Sequence, residues 1–256
     1  MSRRRGVVFA AVLAALLGTA LAPAARVQAS TDREQAGAVN TELAVAYMRE
    51  GNLASARDKI DKALQQSPRN ARTQMAAGFI YDRLNDKRKA ASHYDQAVRL
   101  GKDDPEIINN AAVFYCRSGE YKRGEQYLLQ AAASPLYRTP DVAYTNAGRC
   151  ARADKRPQDA EQYFRKALVA NPRQPDALGE MAEIALDGGN ALQARAFLER
   201  RDAVAPVTAS TLMLGRRIEL ALGDPVQARR YAQRIREEFP TSVEAARLFD
   251  EEQARP

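Results

Sequence analysis

The 256-residue sequence contains no tryptophan, a single histidine (His93) and two cysteines, and only 7% of its residues are aromatic. One histidine leaves general acid–base chemistry without a second group, and neither a nucleophile motif nor a glycine-rich phosphate loop accompanies it. Two cysteines without a nearby histidine do not supply the four ligands of a structural zinc site. We therefore expect a non-enzymatic protein that uses no cofactor, metal or small-molecule substrate.

The formal charge of +7 is concentrated at the N-terminus. Residues 1–29 hold four arginines and no acid, so the 35 basic and 32 acidic residues that follow leave a charge of only +3. A nearly balanced charge supplies little attraction to phosphates, and no basic run interleaved with aromatic residues is present. The composition therefore argues against nucleic-acid binding.

The first 29 residues have the pattern of a secretory signal peptide. Three arginines (residues 3–5) precede the uncharged stretch Val7–Leu21, and small residues lead to a cleavage pattern that ends at Ala29. The apolar stretch is shorter than the ~20 residues of a spanning helix, although an uncleaved membrane anchor stays open as an alternative. No cysteine lies near the cut to accept a lipid. We expect export to the periplasm, and association with the outer membrane through a partner.

Small residues recur at an interval of 34 along the rest of the chain. Ala56, Ala90 and Gly124 form one such series, a second runs through positions 160, 194 and 228, and an insertion of two residues separates the series. An interval of 34 is typical of the tetratricopeptide repeat, in which small residues let two helices approach closely. We predict an all-α, right-handed superhelical solenoid of six repeats over residues 37–242. The repeat bounds are 37–70, 71–104, 105–138, 141–174, 175–208 and 209–242, preceded by a flexible leader (30–36) and followed by a C-terminal tail (243–256).

The insertion carries the most specific local pattern. It reads Ser-Pro-Leu-Tyr-Arg-Thr-Pro over residues 134–140 and continues to Asn146-Ala-Gly-Arg-Cys150. This segment, with Asn109-Asn110, residues 114–119 and the order of signal peptide and six repeats, resembles the PilF/PilW family of type IV pilus biogenesis and stability proteins. The resemblance spans nearly the whole chain after the signal peptide. Many members of that family carry a lipidated cysteine that this sequence lacks.

The resemblance implies a pilotin. Such a protein binds the type IV pilus secretin and promotes its localisation or multimerisation in the outer membrane, and hence pilus biogenesis and twitching motility. Because the lipid-bearing cysteine is missing, assembly of the secretin by contact is easier to reconcile with the sequence than transport on a lipoprotein route. The alternative is a general periplasmic scaffold or adaptor, for example for cell-wall enzymes.

Cys116 and Cys150 fall in the first helices of adjacent repeats. In an exported protein an even number of cysteines favours a disulfide, and a bridge here would close a loop of 34 residues. Two unbridged, buried thiols that act as small apolar side chains are the alternative.

The first helices of a tetratricopeptide solenoid line its concave face. Positions 2, 5, 9, 12 and 13 of each repeat face the groove, and in repeats one to four they form an apolar strip edged by arginines. Apolar anchors with arginine at the edge are typical of a protein-binding patch, and arginine also suits an acidic or carboxylate group of the partner. The predicted groove residues are Val45, Met48, Arg49, Met75, Phe79, Arg83, Asn109, Val113, Arg117, Arg149 and Arg152.

Overall fold

A computed structural model of the chain describes residues 21–253, with side chains from Ser30 to Glu251. All regular structure in this range is helical, and the chain divides into two compact units at Leu100. Unit one contains α1 (Leu21–Arg49), α2 (Leu53–Gln66), α3 (Ala71–Arg83) and α4 (Lys87–Leu100). Unit two contains α5 (Pro105–Arg117), α6 (Tyr121–Ala133), α7 (Pro140–Ala153), α8 (Pro157–Ala170), α9 (Pro175–Asp187), α10 (Ala191–Asp202), α11 (Ala209–Ala221), α12 (Pro225–Glu238) and α13 (Val243–Gln253). The all-α repeat fold predicted from the sequence is confirmed.

Within a repeat, a small residue of the first helix packs against a large residue of the second. A Cβ atom added to Gly148 of α7 would lie 2.5 Å from Cε1 of Phe164 in α8, and one added to Gly78 of α3 would lie 2.9 Å from the Tyr94 ring in α4. Phe164 and Tyr94 are themselves buried. The recurring small residues are therefore required because an aromatic ring occupies the space that a side chain would need.

The turn between the two helices of a repeat uses the same backbone conformation throughout. Position 15 of each repeat has a positive φ, between 60° and 86°, which L side chains adopt at a cost and glycine does not. Glycine holds this position in four repeats, and Asn85 and Lys155 hold it in the second and fourth. The glycine spacing in the sequence therefore indicates the positions of the turns that end each first helix.

Many of the helices begin at a residue that caps or favours their first turn. Asn52 accepts a hydrogen bond from the Ser55 amide at the start of α2, and Asn70 does the same for Thr73 in α3. In unit two, α5, α7, α8, α9 and α12 begin with proline, whose fixed φ suits the first helical turn. These residues set the helix starts independently of tertiary packing.

The flexible leader expected at residues 30–36 is a helix in the structure. These residues belong to α1, and Arg33 donates a hydrogen bond to the Gln65 carbonyl at 2.8 Å. Gly37 follows them, so close to α2 that an added Cβ would lie 2.1 Å from Ser67 Oγ. The leader prediction was wrong because contacts with the end of α2 hold these residues, and their sequence alone shows no apolar face.

The C-terminal tail expected at residues 243–256 also contains a helix. Leu248 of α13 is 2% exposed and packs in one cluster with Leu212, Met213, Ala232 and Ile235 of α11 and α12. The tail prediction therefore needs correction: Leu248 docks this helix, and Ala245 packs against the same cluster.

No described helix is both long and apolar enough to cross a membrane. The charged and apolar parts of the predicted signal peptide fall almost entirely within residues 1–20, outside the described residues. Residues 21–29 form the first part of α1.

Candidate partner-binding surface

In unit one, the predicted groove residues lie on the first helices of two neighbouring repeats. Thr41 Oγ1 of α1 and Thr73 Oγ1 of α3 are 2.9 Å apart and join the two helices near the N-terminal end of α3. From there the predicted residues follow at helical spacing on each helix. We call this surface the α1–α3 face; it consists of Val45, Met48, Arg49, Met75, Phe79 and Arg83.

The α1–α3 face combines accessible apolar atoms with cationic groups. Phe79 is 40% exposed, and Val45, Met48 and Met75 are half-buried. Arg49 and Arg83 are exposed, and no acidic side chain in the described part of the chain forms an ion pair with either of them. Asp82, the acid next to Arg83, is buried and pairs with Lys87 instead. Both guanidinium groups are therefore available to a carboxylate of a partner.

In unit two, Asn109, Val113 and Arg117 of α5 form a more closed surface. Asn109 is 7% exposed, and its Oδ1 accepts a hydrogen bond from Asn146 Nδ2 of α7 at 3.1 Å. Val113 is half-buried and Arg117 is exposed. Asn109 therefore serves to join two repeats, although it was predicted as a groove residue.

Arg149 and Arg152 of α7 are engaged by carboxylates of α9. Arg149 Nε donates to Glu180 Oε1 at 2.8 Å, and Arg152 Nη1 donates to Glu183 Oε2 at 2.9 Å. Asp176 lies 3.3 Å from Arg149 Nη1. Burial opposes the charge of Arg149, yet Glu180 and Asp176 outweigh burial and raise the pKa of this guanidinium.

The carboxylates that hold these two arginines were missed in the sequence. Glu180, whose side chain is 10% exposed, lies between Arg149 and Arg152 and contacts both of them. Removing either arginine would leave this buried carboxylate less compensated, which is costly. The signal was present in α9, where acids at 176, 180, 183 and 187 have the spacing of one helix face.

Of the two alternatives for the cysteines, the structure contains the disulfide. Cys116 of α5 and Cys150 of α7 are bonded, with their Cα atoms 5.3 Å apart. Both side chains are buried in a cluster with Ala112, Leu128 and Ala147. The bond thus joins the first helices of repeats three and four, on either side of the two-residue insertion.

His93, the single histidine of the sequence, is packed against α3. Its ring stacks on Tyr81 with the centroids 5.3 Å apart, and its Nδ1 lies 2.7 Å from Gln74 Oε1. Burial lowers the pKa of His93 below its usual value. Tyr81 donates to Asp61 Oδ1 of α2 at 2.5 Å, and burial together with that carboxylate raises the pKa of Tyr81 to about 12. This group ties repeats one and two together.

The chain matches the tetratricopeptide repeat family over residues 71–104, 151–214 and 211–242. Among curated proteins, the type IV pilus assembly protein PilF of Pseudomonas aeruginosa is 26% identical over 212 residues, which is 83% of this chain and 84% of that protein.

Two solved structures share both fold and sequence with the chain. Pseudomonas aeruginosa PilF has a TM-score of 0.71 at 25% identity, over 86% of this chain and 99% of that one. PilW, described as a widely conserved type IV pilus biogenesis factor, has a TM-score of 0.74 at 30% identity, over 84% of this chain and 99% of that one. The similarity therefore extends over nearly the whole of both proteins.

Proposed function

Because the chain belongs to the PilF/PilW family of tetratricopeptide-repeat type IV pilus biogenesis proteins, we propose that it is a non-enzymatic assembly factor for the pilus secretin. It binds the secretin in the periplasm and promotes its outer-membrane localisation or multimerisation. Pilus biogenesis and twitching motility depend on that step.

The α1–α3 face is the observation that carries this proposal. A half-exposed phenylalanine beside two methionines offers apolar contact area, and Met side chains adapt to different partners. Arg49 and Arg83 lie at the edge without internal ion pairs. Such a surface fits an extended or helical secretin segment with apolar side chains toward Phe79 and at least one carboxylate toward the arginines.

The arginines of unit two are less suited to bind an acidic segment. Arg149 and Arg152 already face three carboxylates of α9, so this part of the surface has little net attraction for an acidic segment. The secretin segment therefore makes its charge-dependent contacts in unit one.

Export and attachment follow from the first 29 residues. The arginine-led apolar stretch directs the chain to the periplasm, and cleavage after Ala29 releases it. Since no cysteine is present to carry a lipid near that cut, contact with the secretin or another outer-membrane protein holds the protein at the outer membrane.

Charge reversal on the α1–α3 face tests the proposal. The double variant Arg49→Glu, Arg83→Glu should strongly reduce the heat-stable secretin multimer and twitching, because both cationic contacts become repulsive. The control is Arg173→Glu with Arg229→Glu, which reverses two exposed arginines elsewhere and should leave the multimer unchanged. Far-UV circular dichroism checks that both variants fold.

Normal multimers in a strain that lacks the gene would refute the proposal altogether. Normal multimers in the double variant, with a defect in the deletion strain, would refute the α1–α3 face alone. Recovery of cell-wall enzymes without secretin in a pull-down would instead favour a general periplasmic scaffold.

A further inference from the structure

The first helix of the array carries a second apolar surface, separate from the α1–α3 face. Val39 and Leu43 of α1 are 56% and 41% exposed, and Ala46 is exposed as well. Their spacing of four and three residues places them in one stripe along the helix. At 100° per residue, Met48 lies about 180° around α1 from Val39, so the two surfaces point in different directions.

The equivalent positions of repeats two and four are covered. Val39, Leu43 and Ala46 are the third, seventh and tenth residues of repeat one. In α3 and α7 the residues at these positions are at most 2% exposed: Thr73, Ala77 and Ile80, and Ala143, Ala147 and Cys150. Helices of the preceding repeat provide the cover, since α1 and α2 pack against α3, and α5 and α6 pack against α7. The stripe on α1 therefore has the character of a repeat-to-repeat interface that no preceding repeat covers among the described residues.

At the last repeat of the array, unlike in the described part of the first, an additional helix covers the end. There α13 packs against α11 and α12, with Leu248 2% exposed between them. An additional helix thus covers this end of the array, as terminal capping units of repeat proteins do. In the described part of unit one, α2 and α3 pack against α1 and leave Val39 and Leu43 accessible.

The charge around the stripe indicates what kind of helix would fit. Glu50 and Glu42 are exposed and lie about 20° and 60° around the helix from Val39. Arg49 and Arg33 lie farther away, at about 80° and 120°. Around the helix, exposed acids thus lie closer to the apolar stripe than the arginines do, which favours a partner with basic residues beside its own apolar stripe.

We propose that the stripe of Val39, Leu43 and Ala46 is a docking surface for an amphipathic helix of a partner protein, with lysine or arginine flanking its apolar side. The partner helix takes the place that the second helix of a preceding repeat takes on α3 and α7. It thereby extends the repeat array by one helix and buries the exposed valine and leucine.

Photo-crosslinking in the native bacterium tests this surface with the full chain. A photo-reactive amino acid replaces Leu43 in one strain and Val169, an 84% exposed residue of α8, in a control strain. We expect a discrete adduct only from position 43. Mass spectrometry of the adduct should identify a segment with apolar residues at helical spacing and basic residues beside them.

Two variants probe the apolar and the charged part of the surface separately. Val39→Asp should lower the adduct yield from position 43 at least tenfold, and Glu42→Lys with Glu50→Lys should lower it by a similar factor while leaving the apolar stripe intact. Phe79→Asp, on the α1–α3 face, should leave the yield unchanged. Circular dichroism checks that the exposed substitutions keep the fold.

The absence of an adduct at position 43 would overturn the proposal. So would an adduct with a second copy of this chain, with residues 1–29 of its own precursor, or with an acidic or non-helical segment. Loss of the adduct in Arg49→Glu, Arg83→Glu would show that both surfaces bind as one, and would overturn the separate site. A lost secretin multimer with an intact adduct would support two independent surfaces.

Discussion

Alanine at position 148 should destabilise the protein, whereas alanine at position 179 should stabilise it. Both glycines lie inside first helices of unit two, Gly148 in α7 and Gly179 in α9. An added Cβ meets Cε1 of Phe164 at 2.5 Å in the first case and finds no heavy atom within 4 Å in the second. The two substitutions are chemically identical, so the difference between them isolates the packing against Phe164.

The expected magnitudes follow from two opposing terms. Glycine to alanine in a helix interior favours folding by roughly 0.5–1 kcal/mol, because alanine loses less backbone entropy. Overpacking of a filled core disfavours folding by roughly 1–3 kcal/mol. Gly179→Ala should therefore gain the first amount, and Gly148→Ala should lose up to about 2 kcal/mol. For a chain of this size each kcal/mol shifts Tm by about 2–4 °C.

Urea unfolding and thermal melting of the chain that begins at Ser30, followed by circular dichroism, measure both variants. Phe164→Leu offers a third test: in that background the penalty of Gly148→Ala should shrink, because leucine leaves room for the added methyl group. Equal stability of Gly148→Ala and Gly179→Ala would refute the reasoning. An undiminished penalty in the Phe164→Leu background would show that the ring is not its cause.

Three further predictions use the same preparations. Reduction of the Cys116–Cys150 bond should lower the free energy of unfolding by about 4 kcal/mol, because the bond closes a loop of 34 residues. Urea unfolding with and without a reductant measures this change, and an unchanged midpoint would contradict the prediction. Leu248→Ala should lower the free energy of unfolding by about 2–5 kcal/mol and reduce the protection of the α13 amides against hydrogen exchange. Protection of α13 equal to that in the unsubstituted chain would show that this side chain does not dock the helix. Because burial lowers the pKa of His93, the unfolded chain binds the proton more tightly, so stability should decline as the pH falls below about 6.5. His93→Gln should flatten the pH dependence of the unfolding midpoint between pH 7.5 and 5, and an identical slope in both proteins would contradict this assignment.

Much of the fold could be predicted because each repeat encodes its own helical hairpin. Gly148 leaves space for the Phe164 ring, Pro175 begins a helix, and the residue at position 15 allows a turn. Each of these requirements is local and recurs at a fixed interval. The family could be recognised for a related reason, since the residue pattern at 134–150 departs from that interval in a specific way. The residues of the α1–α3 face were predicted from their positions in the tetratricopeptide repeat, whose first helices line the concave face, and their binding role stays a prediction.

Contacts between residues about 30 apart in sequence were beyond such reasoning. Whether Arg149 is open to a partner depends on Glu180, which α9 brings to it from the next repeat. The local pattern predicts Asn109 as a groove residue, because its hydrogen bond to Asn146 is not visible in that pattern.

The sequence by itself determined the helical repeats, their turns and the alternation of small and large core residues, because these depend on side-chain size and backbone preference within one hairpin. Only the tertiary structure decided which charged groups are already paired, that residues 30–36 and 243–253 are helical, and that Val39 and Leu43 lie uncovered. Pairing and burial depend on which surfaces meet, and that is a property of the packed repeats together.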